Sequence, residues 1–245
     1  MSWMFPRRSG IRAPETREWI LGALYLPVFL FFLNFAILAY FPALGFPLTE
    51  PRNYFFANLL YMTVNFAVML LIFRRTLWQS LREFEGKMLL SVLIGFGMCY
   101  SANLVLTTAY TVLDIMPENY NQEAVNSLLG GYPLAMTLCT VVLAPLAEEC
   151  LFRGVLFAPL ARRCLPAAYA LSMFLFAGMH VFQFLGSMTA ANTILCLSLY
   201  LPASFSLCWV YQKTGNIWAC IFLHMFINFQ SVLASLLRSL MQAFL

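Results

Sequence analysis

Seven long apolar stretches, separated by short polar segments, dominate the pattern of this chain. They cover residues 19–41, 54–74, 88–113, 133–158, 166–185, 188–211 and 217–238. Each reaches the roughly 20 apolar residues that a helix needs to cross the hydrocarbon core of a bilayer. Lipid offers no partners to backbone polar groups, so a spanning segment must satisfy them itself, as a helix does. The pattern therefore predicts an all-α, polytopic transmembrane helical bundle of about seven spans.

The composition agrees with this prediction and limits the classes of binding partner. Hydrophobic residues make up 62% of the 245 residues and charged residues 10%, which soluble domains rarely match. No internal repeat or low-complexity linker interrupts the pattern, so we predict that residues 1–245 form a single transmembrane domain. The net charge of +4 is too small to indicate nucleic acid, and membrane lipid is the expected surrounding. The seven cysteines form no CxxC pair and predict neither a disulfide framework nor a structural zinc site.

The basic residues favour alternate loops. Four arginines precede the first span, and further basic residues lie between spans two and three, four and five, and six and seven: Arg7, Arg8, Arg12 and Arg17; Arg74, Arg75, Arg82 and Lys87; Arg162 and Arg163; and Lys213. The other loops are poor in basic residues. One holds Arg52, and the other holds only the acids Asp114, Glu118 and Glu123. By the positive-inside rule, this bias predicts a cytoplasmic N-terminus and an external C-terminus. A hidden eighth span or a re-entrant segment would change the last part of this topology.

Two polar segments between the spans have features of short helices. Trp78, Leu81 and Phe84 recur at helical spacing among charged residues, which indicates a helix lying in the cytoplasmic interface. A plain charged loop explains the same residues equally well. The segment QEAVNSLLGG could form a short external helix that ends at Gly130-Gly131.

The fourth stretch contains an acidic pair, Glu148-Glu149, although an ionisable group in hydrocarbon costs roughly 2.5–3.5 kcal/mol. Arg153 follows Glu149 by four residues, which is the favourable order for a helical ion pair. Glu148 is rotated about 100° from Glu149 on the helix and is free to point into a cavity. There its carboxylate could act as a general base. The alternative is that both acids only hold helices together through Arg153.

The only two histidines also fall inside apolar stretches. His180 follows Phe176 by four residues on one helix face, although a lone histidine in such a place is more often a satisfied core group. His224 and Asn228 share a face of the last span and could direct two polar groups to one point. They could equally form an interhelical hydrogen-bond pair. Because three spans bring polar groups to similar depths, in the cytoplasmic half of the bilayer, we predict one common functional site.

In this order, Glu148-Glu149-x-x-x-Arg153, Phe176-x-x-x-His180 and His224-x-x-x-Asn228 resemble the three motifs of the CAAX protease and bacteriocin-processing family (CPBP, also called Abi). Ala144-Pro145 and Phe152-Arg153-Gly154 also resemble its first motif. The similarity covers about residues 135–230. The family contains intramembrane endopeptidases related to the eukaryotic enzyme that trims prenylated proteins.

The resemblance implies a role for each motif residue. Glu148 and His180 would activate the attacking water, and His224 and Asn228 would stabilise the oxyanion. Glu149 and Arg153 would orient and support the site. A glutamate can accept the proton of the water and return it to the leaving amine, so a metal-free glutamic mechanism without cofactor is favoured.

A zinc mechanism is the alternative within the same family, with Glu148, His180 and His224 as ligands and water in the open position. The chain has no HExxH motif, and each ligand would come from a different helix. The same side chains serve both mechanisms, so the sequence leaves both open.

The expected substrate is a membrane-associated peptide or protein in a bacterial plasma membrane. A peptide pheromone, a bacteriocin precursor or another membrane protein fits better than a prenylated protein, because nothing in the chain indicates prenyl binding. A non-catalytic bacteriocin-immunity or scaffold protein that binds a peptide partner is the second hypothesis. A transporter or proton relay is the third, and the chain lacks the paired halves typical of transporters.

Overall fold

The structure, a computed structural model, describes residues 11–243. It is 87% helical, and the described residues contain no β-strand. Helices long and apolar enough to cross a membrane, named spans 1 to 7 below, cover Thr16–Ala43, Pro51–Ile72, Gly86–Val112, Pro133–Ala161, Leu165–Ser187, Ala190–Thr214 and Ile217–Gln242. The predicted all-α bundle of seven transmembrane helices is confirmed, with helix ends that differ by a few residues. The orientation of the N-terminus stays a prediction, and Arg7 and Arg8, which support it, lie outside the described residues.

Both short polar segments are helical. The first forms the helix Arg74–Arg82, with Leu77 buried and Trp78 exposed. The carboxylate of Glu18 accepts hydrogen bonds from the backbone N–H groups of Arg75 (3.0 Å) and Thr76 (3.2 Å) and so caps this helix. Since the N-terminus of a helix carries a partial positive charge, an acid there is stabilising.

The second segment forms the helix Tyr120–Gly131, as its sequence indicated. The Asn119 side chain accepts a hydrogen bond from the backbone N–H of Gln122 at 3.1 Å. This contact satisfies one of the free N–H groups at the start of the helix.

Spans 1, 4 and 5 depart from regular α-helix. Span 1 contains a π-helical segment, Val28–Phe32, and span 5 ends in the 3₁₀-helix Phe182–Ser187. Span 4 contains two π-helical segments, Cys139–Leu143 and Cys150–Phe157, separated by the α-helical turn Ala144–Glu149. Widened turns of this kind occur frequently at functional sites.

Prolines in span 4 account for carbonyl groups that its own backbone leaves without a partner. The N–H of Ala144 bonds to the carbonyl of Cys139, five residues earlier. In that π pattern the carbonyl of Thr140 would need the N–H of Pro145, and proline has none. Pro159 follows the second π-helical segment, in which the N–H of Ala158 bonds to the carbonyl of Arg153. By the same pattern Pro159 leaves the carbonyl of Gly154 without its N–H. The neighbouring carbonyl of Val155 accepts the indole N–H of Trp19 at 3.0 Å.

Span 4 lies at the centre of the bundle and contacts spans 1, 2, 5, 6 and 7. A glycine in span 1 permits one of these close approaches, because a Cβ on Gly22 would lie 2.6 Å from a Val155 methyl group. A Cβ on Gly95 in span 3 would lie 2.6 Å from a Val210 methyl group in span 6. Small residues at such crossings let helices pack closely in a membrane.

Candidate active site

The ion pair expected within span 4 is present and fully buried. Arg153 Nε lies 3.2 Å from Glu149 Oε2, and both side chains have 0% exposure. The same guanidinium donates to the backbone carbonyl of Ser204 at 3.1 Å and to the Ser204 hydroxyl at 3.3 Å. Arg153 therefore joins spans 4 and 6 while it compensates the charge of Glu149.

His224 of span 7 connects the two glutamates. Its Nδ1 lies 2.9 Å from Glu149 Oε1, and its Nε2 lies 3.9 Å from Glu148 Oε2. Because a carboxylate only accepts hydrogen bonds, the Nδ1–H of His224 donates to Glu149. This contact fixes the ring so that Nε2 faces Glu148, in the way that a second carboxylate orients the histidine of other active sites.

Glu148 differs sharply from its neighbour Glu149. Its Oε2 is buried and has no hydrogen-bond partner, and its side chain is 12% exposed. The two adjacent acids therefore occupy different environments, as their positions on the helix predicted. Glu149 is held by its ion pair with Arg153 and by His224, whereas Oε2 of Glu148 has no cation as close and keeps room for a ligand.

The rings of His180 in span 5 and His224 in span 7 both lie close to the Phe176 ring. The ring centroid of Phe176 is 4.9 Å from that of His180 and 5.6 Å from that of His224. The Nδ1–H of His180 donates to the Phe176 carbonyl at 2.8 Å, which leaves Nε2 as an acceptor. The His180 ring also stacks on Tyr200 of span 6, with 4.5 Å between centroids.

Asn228 makes a structural contact in this conformation. Its Nδ2 donates to the carbonyl of Thr140 at 2.8 Å, which is the carbonyl that Pro145 leaves free. This is the interhelical hydrogen bond that the sequence left open as an alternative. A second N–H on the same nitrogen remains for a ligand, so the contact does not decide between the two roles.

Three donors for a metal ion are not gathered in this arrangement. Among residues 11–243, no group of three or more His, Cys, Asp or Glu side chains is placed to hold a metal ion. Glu148 and His224 approach each other, whereas His180 is directed by its contacts with Phe176 and Tyr200. The set proposed for zinc from the sequence is therefore not assembled in this conformation.

Several polar residues near the site carried no motif. Tyr200 and Ser204 share one face of span 6, and Tyr61 and Asn65 share one face of span 2. Tyr61 lies within electrostatic range of Glu148 and donates its hydroxyl to the carbonyl of Phe29 at 2.9 Å. The i, i+4 spacing of these polar pairs inside apolar spans is a signal that could have identified them.

Residues 130–230 match the family described as type II CAAX prenyl endopeptidase, Rce1-like. This match supports the resemblance of the chain to the CPBP family. The matched segment includes all seven residues named in the three motifs. The seven apolar helices and the similarity to a family of membrane peptidases support an integral membrane protein.

A curated relative is consistent with this family. YdiL of Bacillus subtilis (strain 168), which is provisionally named a membrane peptidase, is 28% identical to this chain over 166 residues. The alignment covers 66% of this chain and 64% of YdiL, so the chain spans less than two thirds of the length of that relative. No solved structure matches the chain significantly.

Proposed function

We propose that this protein is an intramembrane endopeptidase of the CPBP type that hydrolyses a peptide bond of a membrane-associated peptide or protein. The observation that carries the proposal is the unpartnered Oε2 of Glu148, which lies 3.9 Å from Nε2 of His224 inside the bundle. An available carboxylate beside a fixed imidazole is the arrangement that proton transfer requires. The similarity of the chain to the CAAX-type protease family supports the same conclusion.

In the proposed reaction, Glu148 accepts a proton from water while the water oxygen bonds to the carbonyl carbon. Nε2 of His180 accepts the second hydrogen of that water in a hydrogen bond and so orients it. The electron pair of the carbonyl moves to its oxygen and forms an oxyanion. When the oxyanion collapses, the C–N bond breaks, and Glu148 gives its proton to the leaving nitrogen.

The oxyanion receives hydrogen bonds from His224 and Asn228 in this proposal. His224 must then carry a proton on both nitrogens, since Nδ1–H already donates to Glu149. The charges are consistent with this, because Arg153 and a protonated His224 balance the two glutamates. Each well-placed oxyanion donor contributes about 2.7–4 kcal/mol to a reaction of this type. Glu149 and Arg153 position His224 and do not contact the substrate.

We further propose a metal-free mechanism in a bacterial plasma membrane, with the N-terminus in the cytoplasm. The partners are membrane lipid and the substrate, and nucleic acid is not among them. A peptide pheromone, a bacteriocin precursor or another membrane protein is the proposed substrate class. Zinc held by Glu148, His180 and His224 is the competing mechanism. Cleavage that survives 1,10-phenanthroline supports the metal-free form, and cleavage that stops and returns with added zinc supports the competitor.

The test compares terminal peptides by mass spectrometry between membranes with the wild type and membranes with Glu148→Gln at equal amounts. New termini that appear only with the wild type are the expected result, and they also identify the substrates. If the two sets of termini are identical while both proteins are folded and produce the same physiological effect, the chain is a non-catalytic immunity or scaffold protein.

A further inference from the structure

The side-chain amide of Asn65 in span 2 has a hydrogen-bonded oxygen and a nitrogen without a hydrogen-bond partner. Asn65 is 2% exposed, and its Oδ1 accepts a hydrogen bond from the Tyr25 hydroxyl at 2.9 Å. Its Nδ2 is buried and has no hydrogen-bond partner. The oxygen of Tyr61 lies near this amide, but no hydrogen bond of normal length and angle joins them. Because an unpaired buried donor is costly and rare, it requires an explanation.

This amide lies on the side of span 2 that faces the catalytic glutamate. Span 2 packs against the segments Cys139–Leu143 and Ala144–Glu149 of span 4. Tyr61, one turn before Asn65 on the same face, lies within electrostatic range of Glu148. Three buried oxygens without a hydrogen bond belong to this part of span 4, namely Thr140 Oγ1, Glu148 Oε2 and Glu149 Oε2, of which only the last has an ion pair, with Arg153. The boundary between the two spans thus combines a free donor with free acceptors.

We propose that Asn65 is a substrate-binding residue, whose Nδ2 donates a hydrogen bond to a main-chain carbonyl of the peptide bound beside Glu148. A peptide backbone presents carbonyl acceptors and N–H donors in alternation, which matches a donor on Asn65 and a hydroxyl acceptor on Thr140. A lipid acyl chain offers neither group. The inference rests on the proposed function and assigns to span 2 a part in holding the substrate.

Tyr25 is the positioning residue in this proposal. Its hydroxyl fixes Oδ1 of Asn65, so the amide plane cannot turn without losing that hydrogen bond. The donor is therefore oriented before the substrate arrives, which reduces the entropy lost on binding.

The test uses a synthetic peptide that spans the most abundant Glu148-dependent cleavage site, with the purified protein in lipid vesicles. The double variant Tyr25→Phe/Asn65→Leu removes both partners of the existing hydrogen bond and leaves no new polar group unpaired, so folding should be retained. We expect kcat/KM to fall about tenfold, the usual effect of one lost hydrogen bond. A folded double variant with kcat/KM within twofold of the wild type overturns the proposal.

Asn65→Asp provides a second variant if the double variant fails to fold. It retains the size of the side chain and an acceptor for Tyr25 but replaces the free donor with an oxygen. At least a tenfold loss of kcat/KM in folded protein is expected, and an unchanged value would contradict the inference.

Asn53→Leu is the matched control, because Asn53 is a buried amide of the same span whose Nδ2 is fully engaged. It donates to the carbonyl of Pro47 at 3.0 Å and to Glu50 at 3.1 Å. This variant should lower stability and leave kcat/KM per folded molecule within twofold of the wild type. Equal losses of kcat/KM in the Asn53 and Asn65 variants would reduce the Asn65 effect to damage of the fold.

Glu148→Gln, assayed on the same peptide, separates a failure of the proposed function from a failure of the role assigned to Asn65. If it retains the wild-type rate, the proposed function itself is wrong. If it abolishes cleavage while the Asn65 variants keep full activity, only the assignment of Asn65 fails.

Discussion

Spans 4 to 7 differ from spans 1 to 3 in how much of each helix the protein encloses. In the most apolar stretch of each span, 33–44% of the residues are buried in spans 4 to 7, against 17–22% in spans 1 to 3. All motif residues lie in the enclosed group. Since ionisable groups are expensive in lipid, a site with two acids and an arginine needs neighbours on every side. The comparison teaches that the first three spans form an outer layer around an inner group that holds the chemistry.

The largest effect should come from the inner group through Glu148. Glu148→Gln keeps the size of the side chain but removes the base, so cleavage should fall by about 100- to 10,000-fold. The measurement is the rate of product formation from the peptide at saturating concentration. Glu123→Gln, at an exposed position in the helix Tyr120–Gly131, is the control and should cleave normally. Full activity of the Glu148 variant would remove this residue from the mechanism.

Arg153→Ala should affect the fold of the inner group most strongly. It leaves Glu149 buried without its cation, and breaking such a pair typically costs about 3–5 kcal/mol of stability. Unfolding in increasing SDS measures the loss. Arg163→Ala, in an exposed loop, should change stability by less than about 0.5 kcal/mol. A stable but inactive Arg153 variant would show that the pair serves catalysis rather than the fold.

Asn228→Ala tests whether Asn228 of span 7 acts in catalysis or only in holding the fold. As an oxyanion donor, Asn228 should affect kcat by about 100- to 1,000-fold with a smaller change in KM. Steady-state kinetics on the same peptide separate the two constants. If KM rises by as much as kcat falls, Asn228 also binds the substrate in its ground state. If neither constant changes, Asn228 serves only the hydrogen bond to Thr140.

Trp19→Phe should have the smallest effect, because it alters only the contact of the outer layer with span 4. Loss of the indole bond to the Val155 carbonyl should lower stability by about 0.5–1.5 kcal/mol without changing cleavage. Trp78→Phe, at an exposed position, should change neither quantity. A folded Trp19 variant without activity would mean that the two groups of spans are not functionally distinct.

The sequence predicted the features that depend on local spacing. The apolar stretches identify all seven spans, and the four-residue interval predicts the pair of Glu149 and Arg153. The partner of His224 was not predictable, because it depends on how span 7 is rotated against span 4. The same holds for Asn65, since its significance appears only when the spacing of span 2 is combined with its contact to span 4.

The irregular turns of span 4 were also missed, for a different reason. Proline positions are visible in the sequence, yet a proline permits a kink, a break or a widened turn, and neighbouring helices select among them. Here Asn228 and Trp19 donate hydrogen bonds to carbonyls of the widened turns, which lipid could not satisfy.

Side-chain hydrogen bonds to carbonyls of the π-helical segments restrict how the helices can rotate. The carbonyls of Phe29, Thr140 and Val155 each accept a hydrogen bond from a side chain on another span. A shift by one residue turns a helix by about 100° and would leave such a carbonyl unpaired where no water can reach it. The hydrogen bonds at these irregular turns therefore fix the rotation of each helix about its axis, which apolar packing alone would not do. Through the carbonyl of Thr140, Pro145, which precedes Glu148 by three residues, thus helps to fix which face of span 4 lines the site.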